Sequence, residues 1–376
     1  MDSNFDNLFV YGTATYGDCF MDREQETQQL TQNFLHGMNT MLISPRRWGK
    51  TSLVQHAGEQ LCNQAGMKIV YIDIFACRSE DDFYQTFATE VIRQTSSKIE
   101  ELLENAKHFL SGLSPKITLS ADPLNEVSFS FEPNWKPYTD EVLNLPERIA
   151  AEKGIHIVVC IDEFQQIGEM PNSLVLQKKL RTAWQHQRLT HYCLYGSKRH
   201  LLMKMFCKPS YPFYKFGDTI FLERIPTEYW VKYIQSRFAI SGKEVSAGLC
   251  EDICDYVENN SSYVQQLAWL LWNRTTRQAD AQALTQAKED LMRLNHVLFQ
   301  SYTDSLSGYQ MRLLLAIAAG HGGELSTQAV ISQFRLGSTA NVAKLKSALE
   351  EKELIESGKV CEFSDPLYKR WLVKNL

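Results

Sequence analysis

Residues 40–52 read Thr40-Met41-Leu42-Ile43-Ser44-Pro45-Arg46-Arg47-Trp48-Gly49-Lys50-Thr51-Ser52. The first four residues are a short apolar run that ends in a turn. A helix pattern opens at about residue 50 and runs to about 65. A loop between a buried strand and a helix, closed by Gly-Lys-Thr, is the context of a P-loop. Such a loop wraps backbone N–H groups around a phosphate, and the helix N-terminus adds a favourable dipole. On this reading Ser44, Pro45, Arg46, Arg47, Trp48, Gly49, Lys50, Thr51 and Ser52 form a phosphate-binding loop. Gly49 lets the backbone approach closely, Lys50 reaches the β- and γ-phosphates, and the Thr51 hydroxyl ligates Mg²⁺. Ser44 stands where the first Gly of the motif is usual. The bland alternative is a chance Gly-Lys-Thr at a helix start.

A second stretch answers the first. His156-Ile157-Val158-Val159-Cys160-Ile161-Asp162-Glu163 is an apolar strand ending in two carboxylates, the Walker B layout. Asp162 would hold Mg²⁺, largely through its water shell, because Mg²⁺ keeps several waters. Glu163 would polarise the attacking water. A carboxylate that merely caps the next helix is the alternative, and the pairing with an upstream P-loop argues against it.

The surrounding pattern is α/β. Residues 40–43, 68–74, 156–162, 192–196 and 219–222 are five candidate strands, with helices expected at about 80–95 and 172–188. Their apolar runs are continuous rather than alternating, which indicates burial on both faces. Strands separated by helices indicate a parallel sheet. Residues 112–137 break the rhythm. Ile117 and Leu119, then Val127, Phe129 and Phe131, lie at period two around a turn-like Ala-Asp-Pro-Leu-Asn, an inserted β-hairpin. Beyond about 225 helices are expected near 227–239, 246–259, 262–279 and 283–305. Three more follow at about 308–319, 325–334 and 339–352, then two short apolar stretches around Ser357-Gly358, the layout of a winged helix.

Composition excludes other classes. Of 376 residues, 44% are hydrophobic and 22% charged, so the chain is globular rather than disordered. The net charge of −5 is not that of a polycation coating nucleic acid, although a local DNA-binding face remains open. No apolar stretch approaches the ~20 residues that span a bilayer, and the start lacks a signal-peptide pattern. Nine scattered Cys fit a reducing compartment, so a cytoplasmic location is expected. Cys250 and Cys254 could clip a metal, but no second ligand pair accompanies them, and helix packing is the favoured reading.

Together these segments resemble the archaeal/bacterial-type P-loop ATPase family of the additional-strand class, related to STAND and AAA+ ATPases, with a C-terminal winged helix. Phe20-Met21-Asp22-Arg23-Glu24 with Leu30 is similar to its N-terminal motif, and Pro45 to Leu53 to its P-loop. Ile161-Asp162-Glu163-Phe164, Gly196-Ser197 and Pro212-Phe213-Tyr214 follow in order. Ser262-Tyr263-Val264-Gln265-Gln266-Leu267 resembles its helical-lid motif, and Phe363-Ser364-Asp365-Pro366-Leu367-Tyr368 with Trp371 the end of its winged helix. The resemblance implies an α/β P-loop NTPase core with a parallel five-stranded sheet, followed by a helical lid domain and a winged-helix domain. It implies ATP and Mg²⁺ as cofactors, and Ser197, after a central strand, as a polar contact to the γ-phosphate. A helix cap at Ser197 is the other reading. Two departures stand out. Ser261-Ser262 replaces a His-Pro common in the lid motif, and Lys215-Phe216-Gly217 stands where relatives carry an Arg. Lys supplies charge but no bidentate fork, so slow turnover is expected.

Other residues keep two readings. Arg46 and Arg47 contact phosphate or pair with surface acids. Trp48 packs or covers the nucleotide. Arg181 is a finger acting in trans or part of a solvated helix face. Phe9 and Tyr11 flank adenine or join the core. The helix Ser338–Lys352 carries Lys344, Lys346 and Lys352 but also Glu350 and Glu351, and Thr339 and Asn341 could reach base edges. The expected division is 1–225 ATPase core with the 112–137 insertion, 226–282 helical lid, and 283–376 linker helix and winged helix. The expected activity is Mg-dependent ATP binding with slow hydrolysis, catalysed by Glu163, Lys50 and Ser197 with Thr51 and Asp162 on the metal, in a nucleotide-driven switch. A DNA-binding regulator in which ATP is structural or permissive is the alternative. A scaffold assembling on ATP is a third reading. ATP and ADP are the expected ligands, with DNA or a protein met through the winged helix, an oligomer conceivable and no membrane.

Overall fold

Continuous apolar strands need cover on both faces, and helices on each side of one sheet supply it. The computed structural model describes residues 8–12, 23–61, 66–110, 116–119, 127–130 and 139–375, the side chains of 99, 116–119 and 127–130 excepted. The chain forms two units, Arg23–Glu223 and Met1–Asp22 with Arg224–Leu376.

The first unit runs α1 (Glu24–Leu35), β1 (Thr40–Ile43), α2 (Lys50–Glu59), β2 (Met67–Asp73), α3 (Glu80–Thr95), α4 (Ile99–Phe109), β3 (Lys116–Leu119) and β4 (Val127–Ser130). It continues α5 (Thr139–Leu143), α6 (Leu145–Lys153), β5 (His156–Asp162), α7 (Gln166–Glu169), α8 (Ser173–Trp184), β6 (Thr190–Gly196), α9 (Arg199–Cys207) and β7 (Asp218–Phe221). The five long-range strands form one parallel sheet in the order β2-β5-β6-β1-β7. The strand carrying Ser197 thus lies between the two strands that carry the P-loop and the paired carboxylates. Register does the rest. Ile43 pairs with Gly196 and Asp73 with Asp162, so Ser44, Asp162 and Ser197 emerge at one edge of the sheet. β3 and β4 pair antiparallel, Lys116 with Ser130 and Leu119 with Val127, as the inserted hairpin requires. Its turn, 121–125, lies outside the described residues.

Side chains explain the local order. Ser79 and Asp82 form a capping box at the start of α3. β1 is buried at all four positions. Under the sheet edge Phe164, Trp184, Phe206, Phe213 and Phe216 pack together, with Phe164 and Phe213 centroids 5.2 Å apart and edge-on. Burying each Phe contributes about 1.5–3 kcal/mol. This is the physical content of Pro212-Phe213-Tyr214: Phe213 is fully buried and braces the turn after β5. α4, α6 and α9 were not apparent from the sequence. Each is short and buries one face, with Leu202, Met205 and Phe206 doing so in α9.

The second unit runs α10 (Thr227–Ile240), α11 (Ala247–Tyr256), α12 (Ser261–Arg274), α13 (Ala281–Asp304), α14 (Gly308–Ala318), α15 (Gln328–Gln333), α16 (Thr339–Glu351), β8 (Ile355–Ser357), β9 (Cys361–Phe363) and α17 (Pro366–Asn375). β8 and β9 form the antiparallel wing. Residues from the start of the chain belong here: Phe9 packs edge-on against Tyr233 at 6.3 Å and Phe238 at 6.0 Å, and the Val10 N–H donates to Gln265 Oε1 at 2.8 Å. Phe9 is therefore a core residue of this unit, while Tyr11 is exposed. The Tyr263 hydroxyl donates to Asp365 Oδ2 at 2.6 Å, and Asp365 Oδ1 accepts from the Leu367 and Tyr368 N–H groups at the start of α17. Tyr263 and Gln265 of the lid motif are thus structural. Cys250 and Cys254 are buried in α11, and burial pushes both thiols up to about 12. Among the described residues no group of three His, Cys, Asp or Glu could hold a metal, and no helix is long and apolar enough to cross a membrane.

Candidate nucleotide site

The loop from Ser44 to Gly49 leaves β1 and delivers Lys50 as the first residue of α2. Ser44 is fully buried, and its hydroxyl donates to the Pro45 carbonyl at 3.1 Å. A buried small side chain thus occupies the position of the usual Gly. Arg47 at φ 67° and Gly49 at φ 84° curl the loop. A left-handed residue at the helix start favours Gly. A methyl group on Gly49 would meet nothing within 4 Å, so its requirement is the backbone angle, and the space beside it is open.

Arg23 holds this loop from outside. It is 5% exposed, adopts φ 75° ahead of α1, pairs with Glu26 at 2.9 Å and donates to the Trp48 carbonyl at 3.4 Å. The Arg-Glu segment thus acts as a clamp, while Phe20, Met21 and Asp22 lie outside the described residues. Trp48 is half-buried. Arg46 and Arg47 are exposed, and neither forms an ion pair among the described residues.

Thr51 and Asp162, 111 residues apart, meet: the hydroxyl donates to Asp162 Oδ2 at 2.8 Å. Lys50 Nζ lies 3.6 Å from Glu163 Oε1. Glu163 turns left-handed at φ 56°, its N–H donating to Asp162 Oδ1 at 2.8 Å, and the Phe164 N–H reaches back to the Tyr195 carbonyl at 2.9 Å. That turn swings the Glu163 side chain toward β6, where the Ser197 hydroxyl donates to its Oε2 at 2.8 Å. Ser197 is not the cap of α9, whose N-cap residue is Lys198. Burial pushes the Asp162 carboxyl up to about 6; Lys50 and the Thr51 hydroxyl oppose the shift, and the Glu163 carboxylate adds to it. An acid so close to its titration range is tuned by its cationic and hydroxyl neighbours.

Lys50, Thr51, Asp162, Glu163 and Ser197 therefore converge. Thr51 and Asp162 are hard oxygen donors in contact, the type Mg²⁺ selects, and they fit that ion. Two other candidates make cation–ring contacts. The Arg181 guanidinium lies over the Phe216 ring at 4.8 Å. Lys215, at φ 53°, lies over Tyr214 at 5.5 Å. One residue escaped the sequence reading. Gln165 is 1% exposed, and its amide donates to Glu163 Oε2.

Comparisons with known proteins agree with this architecture. Residues 297–374 match the family described as "Probable winged helix domain". No curated protein matches the chain. Among solved structures, the Walker-type ATPase PABY2304 of Pyrococcus abyssi superimposes with a TM-score of 0.65 at 17% identity, covering 97% of this chain and 99% of that one. The ORC2 protein of Aeropyrum pernix, in its ADPNP–ADP complexes, superimposes with a TM-score of 0.59 at 14% identity over 100% and 97%. Its ADP form gives 0.53 at 12% over 98% and 95%. The fold is that of a P-loop ATPase core followed by helices and a C-terminal winged helix.

Proposed function

We infer that the chain binds Mg·ATP at Ser44–Ser52 and hydrolyses it slowly, as a nucleotide-driven switch. The observation that carries the reading is the junction of Thr51 with Asp162 at 2.8 Å beside Lys50 with Glu163 at 3.6 Å. Two hydroxyl-or-ammonium donors and two carboxylates from distant segments meet at the C-terminal edge of a parallel sheet, where such sheets bind ligands. The ORC2 protein of similar fold is described in ADPNP and ADP complexes, which supports an adenine nucleotide as the ligand class.

In this reading Lys50 neutralises the β- and γ-phosphates, and loop N–H groups hold the β-phosphate. Thr51 and Asp162 would hold Mg²⁺, which would supply positive charge to the phosphate oxygens. Glu163 takes a proton from the attacking water. Ser197, on the central strand, meets the γ-phosphate. Phosphate and Mg²⁺ would address the same groups that form the Lys50–Glu163, Thr51–Asp162 and Ser197–Glu163 contacts. A Lys rather than an Arg at 215 supplies charge without a bidentate fork, which supports slow turnover. The winged helix would report the nucleotide state to a partner.

The alternative DNA-binding regulator draws on the winged helix but has weaker residue-level support. The Asn341 amide donates to the Leu336 carbonyl at 2.8 Å, and Lys352 Nζ donates to the Ser305 carbonyl at 3.3 Å. Those two side chains serve the fold. Steady-state ATP hydrolysis with Mg²⁺, native chain against Glu163→Gln, tests the primary reading. A native chain that turns over and a variant that binds but does not are expected. Failure of the native chain to bind nucleotide refutes it.

A further inference from the structure

Glu163 Oε2 accepts from two donors, the Ser197 hydroxyl and the Gln165 amide, while its Oε1 faces Lys50. The reading above assigns Lys50 and Ser197 to phosphate once nucleotide is bound. Gln165 has no such second claim. It is 1% exposed, beneath the turn that carries Glu163, so a ligand at the sheet edge does not compete for it.

The packing around it is specific. A Cβ on Gly196 would lie 1.9 Å from Gln165 Oε1 and 3.2 Å from the Phe164 N–H nitrogen. Gly196, at the last position of β6, is side-chain-free because the Gln165 amide fills its place. That amide is paired at one end alone. Its Nε2 donates to Glu163, while its Oε1 is buried with no donor among the described residues. An amide buried for packing or stability would be paired at both ends or replaced by an apolar group of the same volume. Pairing only on the Glu163 side points to what the residue is for.

We propose that Gln165 is the positioning residue of Glu163: its amide N–H fixes Oε2 when Lys50 and Ser197 turn to the phosphates, leaving Oε1 to take the proton of the attacking water. The proposal rests on the reading of Glu163 as the base. Gly196 belongs to the same device, since any side chain there displaces the amide.

The test compares the native chain with Gln165→Met and with Gln165→Leu, apolar side chains of similar volume that remove the donor. The expected result is a tenfold or greater fall in kcat for ATP in both, with the Kd for the fluorescent analogue mant-ATP within twofold of native. Gly196→Ala should give the same split. A kcat within twofold of native, or a loss of mant-ATP affinity parallel to the loss of kcat, overturns the proposal. A double-mutant cycle in urea unfolding of the nucleotide-free protein provides an arm that needs no turnover. Gln165→Met should lower the unfolding midpoint in the native background and not in the Glu163→Ala background, which has no acceptor. Equal shifts in both backgrounds overturn the proposal. A native chain that binds mant-ATP without hydrolysing ATP refutes the hydrolytic reading, and the unfolding cycle then decides the Gln165–Glu163 contact alone.

Discussion

Replacing Thr51 by Val keeps the shape of the side chain and removes the hydroxyl that donates to Asp162 at 2.8 Å. A hydrogen bond to a charged group contributes about 1.5–3 kcal/mol. The loss here has a ceiling, because Asp162 can escape it by taking up a proton. With its carboxyl pushed up to about 6, protonation at pH 7 costs about 1.4 kcal/mol. Adding about 0.5–1 kcal/mol for a neutral hydrogen bond gives a destabilisation of about 2 kcal/mol at pH 7. At pH 5 the carboxyl is already protonated in the folded state, and the cost should fall to about 1 kcal/mol or less. Urea unfolding of both proteins at pH 5 and pH 7 reads this directly. The same variant should lose at least tenfold in mant-ATP affinity with Mg²⁺ present and little with EDTA. A destabilisation equal at the two pH values, or an affinity loss independent of Mg²⁺, would refute the reasoning.

Three further outcomes are expected. In Gly217→Ala the new Cβ would sit 1.9 Å from the Asn39 carbonyl oxygen, which accepts the Asp218 N–H at 2.9 Å where β7 joins β1; a loss of about 2–4 kcal/mol should appear in thermal melts of the full chain. Glu101 is held down to about 2 by its hydrogen bond from Lys153 and by the Ser97 N–H and hydroxyl, below its ordinary 4.5, so its stabilisation is present above pH 4.5 and is lost as pH falls through about 2. Glu101→Gln should accordingly be less stable than native at pH 7, with a difference that narrows between pH 4.5 and 2 in urea titrations. Tyr263→Phe removes the 2.6 Å hydrogen bond to Asp365 and should cost about 1.5–3 kcal/mol, read as a lower unfolding midpoint, with mant-ATP affinity unchanged.

Strands were legible because their chemistry is local. His156–Asp162 is an uninterrupted apolar run closed by carboxylates, and its span matches the sequence reading. The long helices of the second unit were equally plain in their periodicity. α4 and α6 flank the inserted hairpin, and the period-two pattern of 112–137 drew the reading away from them. Leu145-Pro146 begins α6 with a Pro in its first turn, a position compatible with a helix but easily read as a break. The convergence of Lys50, Thr51, Asp162, Glu163 and Ser197 followed from motif order. What the motifs do to one another did not. The Tyr263–Asp365 bond joins segments that each looked self-contained. The contact of Arg181 with Phe216, 35 residues on, was likewise invisible in the sequence. Gln165 was hidden for the same reason: its meaning depends on Gly196, a neighbour in space set by strand order.

Phe9 and Val10 complete a core of the second unit that also needs Tyr233, Phe238 and Gln265. The first unit, Arg23–Glu223, is continuous in sequence and sits between the two segments of the second as an insertion. On the ribosome it can therefore fold first, while the opening residues wait for partners made more than 220 residues later. Trimming the start of the chain would leave the sheet intact and open a hole in the helical unit instead.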